Sequence, residues 1–151
     1  MTTSKEVHYK RSRFATRLFS DRLYTAGHCW LGKREDGVWR IGFTKFATRM
    51  LGDIVEIGFE AKSGEAVKTG QIVGWVEGFK AVTDIFCPLS GSFEGCNPKL
   101  DEDITALTNK PYLTGWLFDV RGTPGNDCLD VTGYVNILDT TIDKMLGQRH
   151  D

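Results

Sequence analysis

The sequence of 151 residues lacks both a long apolar run and an excess of charge of one sign. Its 19 Lys and Arg against 20 Asp and Glu leave a net charge of -1, so no general electrostatic attraction to nucleic acid is expected. No stretch is apolar and long enough for a secretory signal or a membrane span. We therefore expect a cytoplasmic chain with neither nucleic acid nor membrane as a partner.

Closely spaced cysteine pairs are missing as well. The cysteines form no C-x-x-C motif, and the three histidines are not spaced with them as metal ligands would be. Reduced thiols and no metal site are therefore expected. Because Gly-x-Ser-x-Gly and phosphate-loop motifs are also absent, no catalytic site is predicted. The four cysteines are Cys29, Cys87, Cys96 and Cys128.

The length is sufficient for one domain with a substantial core and too short to expect two. We predict a basic N-terminal arm over residues 1–21, folded onto a single domain of residues 22–151. Most of the local basic excess lies in or next to this arm. The basic residues concerned are Lys5, Lys10, Arg11, Arg13, Arg17 and Arg22.

Short apolar runs between frequent turn residues predict a mainly β fold, a flattened barrel or sandwich. Asp36-Gly37 is typical of a hairpin turn between two strands. A short internal helix is expected between Thr44, a plausible N-cap, and Gly52, a glycine stop. Apolar residues at helical spacing from Val135 onward predict an amphipathic C-terminal helix packed on the sheet, with Thr132 as its cap.

Lys80 stands alone between two apolar, β-prone runs, which is typical of a lysine at the tip of a tight hairpin. Its ammonium group is expected in water, with the carboxylates of Glu77 and Asp84 on either side. These two charges would let a modifying enzyme select this lysine by charge complementarity.

Five motifs in order resemble the glycine cleavage system H protein family, and several spaced motifs are more specific than one. The resemblance implies a lipoyl-domain-like barrel-sandwich hybrid and a covalent lipoate on Lys80, attached by a lipoate ligase or lipoyl-assembly enzymes that recognise Glu77 and Asp84. It also implies a monomeric carrier without an active site, which shuttles a bound intermediate between enzymes on a swinging arm. The motifs lie at residues 24–30, 41–47, 51–55, 77–91 and 115–118, and the resemblance covers about residues 22–145.

The residues expected to line the arm-docking cleft depart from the family pattern. The family has Ser-His-Glu-Trp where this chain has Gly27, His28 and Cys29 before tryptophan, and Met50 ends the internal helix. Loss of the glutamate removes a partner for a cationic aminomethyl cargo. Sulfur atoms from Cys29 and Met50 suit a sulfur-bearing arm. A chemical role for the Cys29 thiol is not the first expectation, because most free cysteines are packing residues.

Three functions are compatible with this pattern. The pattern is most similar to the H-like lipoate-binding proteins that serve a heterodisulfide-reductase-like complex in sulfur oxidation, and we expect a sulfur cargo. The alternative is an H protein that serves the glycine cleavage enzymes and carries aminomethyl. A third possibility is an interaction or regulatory module that is not lipoylated, against which the retention of Lys80 argues.

Overall fold

The computed structural model describes residues 5–150, with side chains up to residue 147. Strands dominate, as the turn spacing predicts. The strands are β1 Glu6–Arg11, β2 Phe14–Phe19, β3 Leu23–Tyr24, β4 Cys29–Glu35, β5 Val38–Phe43, β6 Ile54–Phe59, β7 Ala66–Val67, β8 Ile72–Gly78, β9 Val82–Phe86, β10 Leu89–Cys96 and β11 Phe118–Pro124. The helices are α1 Lys45–Leu51, α2 Lys99–Glu102, α3 Ala106–Asn109 and α4 Val131–His150.

Two larger sheets and one hairpin make up the β structure. A six-stranded sheet has the order β3-β4-β5-β11-β10-β7, and a three-stranded sheet has the order β6-β8-β9. Strands β1 and β2 form a separate two-stranded sheet. The predicted mainly β flattened barrel or sandwich with a short internal helix and a C-terminal helix is confirmed, although the described sheets do not close into a barrel.

Local signals in the sequence account for the centre of the fold. Strands β4 and β5 pair antiparallel around Gly37, which has a φ of 79°. Helix α1 follows at once: the Thr44 hydroxyl accepts a hydrogen bond from the Ala47 amide, and Gly52 ends the helix with a φ of 75°. Both predicted boundaries of this helix are confirmed.

The core consists of two clusters of buried side chains. The larger cluster lies between the six-stranded and three-stranded sheets and includes Ile41, Val76 and Phe118. The second joins the β1–β2 hairpin to helices α1 and α4, through side chains such as Leu18 and Leu138. The hairpin therefore shares a core with the rest of the protein.

Polar contacts also fix the hairpin to helix α4. The Tyr9 hydroxyl donates to Asp139 Oδ1 at 2.7 Å, and the Arg11 guanidinium donates to both oxygens of Asp143 at 2.8 Å. Arg11 beside Asp143 lowers the pKa of that carboxyl. The N-terminal arm is thus a pair of strands, which the sequence analysis did not predict. The division of the chain into an arm of residues 1–21 and a single domain of residues 22–151 stays a prediction.

The cap of helix α4 lies two residues before the predicted one. Asp130 Oδ1 accepts from the Gly133 amide at 2.8 Å and so caps the helix. Thr132 lies inside the first turn, and its prediction as the cap is wrong because the nearby aspartate competes for the same amides. No helix among residues 5–150 is long and apolar enough to cross a membrane.

Each of the two larger sheets contains a tryptophan that covers a glycine on the neighbouring strand. Trp30 faces Gly42 in the β4–β5 pairing, and Trp75 faces Gly58 in the β6–β8 pairing. A methyl group added at Gly42 would lie 2.5 Å from Trp30 ring atoms. The glycines therefore let the indole rings lie flat across the adjacent strand.

We expect Gly42→Ala to destabilise the protein by about 1–3 kcal/mol, because the buried Trp30 ring must leave its position. Gly147→Ala is the matched control, since an added methyl group there meets nothing within 4 Å. Chemical denaturation of both variants measures the effect. Equal free energies of unfolding for Gly42→Ala and the unaltered protein would contradict the packing argument.

Candidate functional site

Lys80 lies at the exposed tip of the β8–β9 hairpin, and the end of helix α1 holds this tip in place. The backbone amide of Lys80 donates to the Leu51 carbonyl at 2.9 Å. The Phe79 amide donates to the Asp53 carbonyl at 3.0 Å, and the Gly78 amide to Ala81 at 2.8 Å. The backbone around the lysine is thus fixed while its side chain faces solvent.

Two glycines permit this close approach. A Cβ atom on Gly78 would lie 2.1 Å from the Leu51 carbonyl oxygen, which no side chain could tolerate without backbone movement. A Cβ atom on Gly52 would lie 3.0 Å from Lys80 Cγ. Gly78, which stands where the family pattern has serine, thus lets the hairpin tip pack directly on the helix end.

A cleft of about 530 Å³ opens next to the tip. It lies between the turn before β4, the end of α1, strand β9 and the loop after β11. The structure brings Gly27, His28, Cys29 and Met50 together along this cleft, with Asp84 on the same lining. Glu77 does not line it, and faces Val82 across the hairpin instead.

The lysine itself borders a neighbouring depression of about 340 Å³. Ala81, the residue after Lys80, belongs to the cleft lining, as do Met50 and Leu51 at the end of helix α1. The backbone end of the Lys80 side chain therefore lies at the boundary between the cleft and the depression.

His28 is half-buried on the lining of the cleft. Its Nδ1 lies 2.9 Å from the Tyr134 hydroxyl, which also lies 2.8 Å from the Thr44 hydroxyl. Burial lowers the pKa of His28 to about 4. With a φ of 71°, the residue occupies a left-handed conformation in the turn that precedes β4. Tyr134 comes from α4, so the C-terminal helix supports the cleft, a role the sequence analysis missed.

The cleft contains more sulfur than the sequence analysis expected. Cys87 and Cys128 line it together with Cys29 and Met50, although the spacing of the cysteines along the chain gave no sign of this. Burial raises the pKa of Cys29 to about 12 and also raises the pKa of the other two thiols. Neutral thiols are poor nucleophiles, which favours packing over reactivity for Cys29.

Asp127 is a second carboxylate on the cleft lining, opposite the hairpin in the loop after β11. The sequence analysis did not place Asp127 in the cleft, because this residue is distant in the chain and lies in a loop. Both aspartates are exposed. The mouth of the cleft can therefore offer two carboxylates to a cation.

An exposed hairpin lysine beside a mostly apolar cleft on a flattened β sandwich is the arrangement expected of a carrier domain with a prosthetic arm. Comparisons with known proteins identify its family. A sequence model described as Glycine cleavage H-protein matches residues 22–133. The chain belongs to the glycine cleavage H-protein family.

Relatives of known name agree with this assignment. The glycine cleavage system H protein of Mycobacterium bovis (strain BCG / Pasteur 1173P2) is 36% identical over 124 residues, which cover 82% of this chain and 89% of the relative. That of Alteromonas mediterranea is 32% identical over 123 residues, covering 80% and 95%. The crystal structure of the H protein from Mycobacterium marinum superposes with a TM-score of 0.71 at 33% identity, covering 79% of this chain and 97% of that one.

Proteins of this family are lipoyl carriers without catalytic activity of their own, and they bear lipoate covalently on a lysine. The predicted family, the lipoate cofactor and the carrier role are therefore confirmed. The finer prediction of a sulfur-oxidation carrier is not supported by these relatives, whose names favour the glycine cleavage alternative. The roles of the individual site residues stay predictions.

We expect His28 to make stability pH-dependent. Between its ordinary pKa of 6.5 and its folded-state pKa of about 4, the unfolded chain binds a proton that the folded protein excludes. The free energy of unfolding should therefore fall as the pH is lowered through this window, by about 3 kcal/mol in total. Urea denaturation across the window measures the decline.

His28→Asn is the informative variant, because asparagine tolerates the left-handed backbone but does not titrate. Across this pH window, the free energy of unfolding of the variant should decline by about 3 kcal/mol less than that of the unaltered protein. His8→Asn, which removes an exposed histidine in β1, serves as the control. An unchanged decline in His28→Asn would show that other groups cause it.

Proposed function

We propose that Lys80 carries the lipoyl group and that the adjacent cleft receives the arm. The observation that carries this proposal is the position of Lys80: its side chain is exposed, its backbone is fixed by Leu51, and the 530 Å³ cleft begins one residue further on. A long, flexible, sulfur-ended arm fits a cleft lined by thiols, Met50 and apolar side chains.

When bound, the lipoyl group supplies a dithiolane that can be reduced and can hold a cargo. The chain's own residues fix the root of the arm, through the Lys80–Leu51 hydrogen bond, and shield its end from water inside the cleft. Attachment to the carrier raises the local concentration of the cargo at each partner enzyme.

Recognition by the modifying enzyme is assigned to the hairpin. Glu77 and Asp84 are both exposed, on β8 and β9, so their carboxylates are available to a lipoate ligase or lipoyl-assembly enzyme. Phe79, immediately before Lys80, is 80% exposed. It offers the modifying enzyme a larger apolar contact than the valine of the family pattern would. A cytoplasmic location and a monomeric state stay predictions.

The cargo best supported is the aminomethyl group of glycine cleavage. The matched relatives bear the name of that system, and Asp84 with Asp127 offers carboxylates to a cationic amine at the cleft mouth. Glycine cleavage enzymes would then be the partners.

A sulfur cargo is the second candidate, and the clustering of three thiols with Met50 in the cleft favours it. A heterodisulfide-reductase-like complex would then be the partner. An unmodified regulatory module has no observation in its favour, since the lysine is both exposed and anchored at its backbone.

Lys80→Arg should abolish lipoylation completely while changing the free energy of unfolding by no more than about 0.5 kcal/mol, because the side chain is exposed. Intact-mass measurement after incubation with a lipoate ligase, lipoate and ATP gives the readout. Lys68→Arg, another exposed turn lysine, is the matched control and should be modified normally. A lipoyl mass increase in Lys80→Arg would place the group elsewhere.

Lipoylated protein should accept the product of glycine decarboxylation. Among chains whose mass shows the lipoyl group, Asp84→Asn combined with Asp127→Asn should lower the loaded fraction about five- to tenfold by removing charges that hold the amine. Mass spectrometry with glycine and a glycine decarboxylase measures loading. Asp101→Asn, in α2 away from the cleft, is the control. Failure of the unaltered protein to load, beside a typical H protein that loads, would favour the sulfur cargo.

A further inference from the structure

A second concave surface lies on the face formed by the N-terminal hairpin. A groove of about 750 Å³ runs between the β1–β2 hairpin and residues 108–113, and we name it the basic groove. Cations outnumber acids along it, with Glu6 as the single carboxylate of the lining, 3.6 Å from Arg17. The cationic residues of the lining are Lys10, Arg17, Arg22, Lys45 and Lys110.

One wall of this groove is an addition to the family fold. The family match begins at residue 22, whereas Lys10 and Arg17 belong to the hairpin that precedes it. The hairpin is held rigidly, since Tyr9 and Arg11 bind helix α4 and Lys45 Nζ donates to the Ala15 carbonyl at 3.1 Å. The groove is therefore a fixed feature of this chain.

Arg22 forms the charged floor. Its guanidinium carbon lies 4.2 Å from the Phe19 ring, 4.5 Å from the Trp30 ring and 5.6 Å from the Tyr112 ring. Within the described part of the chain, Arg22 Nη1 is the one buried side-chain nitrogen or oxygen without a hydrogen-bond partner. Burial lowers the pKa of this guanidinium, and no carboxylate binds it among the described contacts. Apart from the charge of the neighbouring Asp21, its field is left for an external anion to neutralise.

The surroundings of the groove favour a protein over a small anion. Leu113 is 68% exposed and borders both the basic groove and a second depression of about 680 Å³. The second depression contains Lys33, Arg34 and Arg40 beside Asp21, and Asp119 pairs with both of these arginines, so its charge is positive but partly neutralised. An exposed leucine between two cationic hollows is suited to an apolar contact flanked by charge pairs, as in protein interfaces.

The groove also reaches the functional lysine. Lys45 and Thr108 line both the basic groove and the depression beside Lys80. A partner bound in the groove would thus stand next to the root of the arm.

We propose that the basic groove is a docking surface for an acidic segment of a partner protein, whose carboxylates pair with the groove's cations and whose apolar side chain covers Leu113. The surface is separate from the lysine and its cleft. It does not depend on which cargo the arm carries.

The test uses unmodified full-length protein, so its outcome is independent of lipoylation. A short polyglutamate peptide is titrated into the isotope-labelled protein, with NMR shifts of backbone amides and of the Arg22 side chain as the readout. Shifts are expected at the groove residues, and Lys10→Glu combined with Lys110→Glu should weaken the affinity at least about tenfold. Both lysines are exposed, so thermal unfolding should confirm that the variant is folded.

Lys62→Glu combined with Lys68→Glu makes the same charge change on exposed turns outside the groove and should leave the affinity within about twofold. An equal loss in this control would show non-specific attraction and overturn the proposal. Inorganic phosphate that competes fully with the peptide at equal concentration would instead indicate a small-anion site. A short thymidine oligonucleotide that binds the groove more tightly than the peptide would indicate a nucleic-acid surface, and either result would overturn docking of a protein.

Discussion

The site depends on the contact between the hairpin tip and the end of helix α1. The amides of Phe79 and Lys80 donate to carbonyls at residues 53 and 51, and this places the lysine without using its side chain. The contact requires that Gly78 has no Cβ, since the Leu51 carbonyl occupies that space. Because the same helix end supplies Met50 to the cleft, the proposed anchor of the arm and the wall proposed to receive it belong to one unit. A carrier needs this arrangement: a flexible side chain on a backbone that does not move.

Charge is unevenly distributed even though the chain is close to neutral. Exposed acids such as Glu56, Glu77 and Asp84 lie on the three-stranded sheet that carries the lysine, whereas the N-terminal hairpin and residues 108–113 enclose a cationic groove. Complementary potentials steer encounter and fix orientation more than they add affinity. A molecule with two such faces can therefore present its lysine to a modifying enzyme and to a docked partner in different orientations.

Signals confined to a few neighbouring residues were predictable from the sequence. The hairpin at Gly37, helix α1 between Thr44 and Gly52, and the exposed position of Lys80 depend on local turn and cap chemistry. The β1–β2 hairpin was not predicted, although residues 6–10 alternate polar and apolar side chains, because its strands gain their stability from helix α4, far along the chain. Asp127, Cys87 and Cys128 join the cleft through tertiary packing, for which spacing in the sequence gives no signal. Asp130 displaced Thr132 as a cap because two candidates lay within one turn.

The cleft itself discriminates poorly between the two cargoes. Cys29 and Cys87 are buried and Cys128 is half-buried, and the pKa values of all three thiols are raised. At neutral pH they therefore present polarizable, uncharged surface and not thiolate nucleophiles. Such a lining suits the hydrocarbon and sulfur atoms of the arm whatever the arm carries. Discrimination must then come from the exposed mouth, where Asp84 and Asp127 can stabilise a positive charge and would gain nothing from a neutral sulfur adduct. The two carboxylates at the mouth therefore say more about the cargo than the more numerous sulfur atoms do. They favour the cationic aminomethyl group.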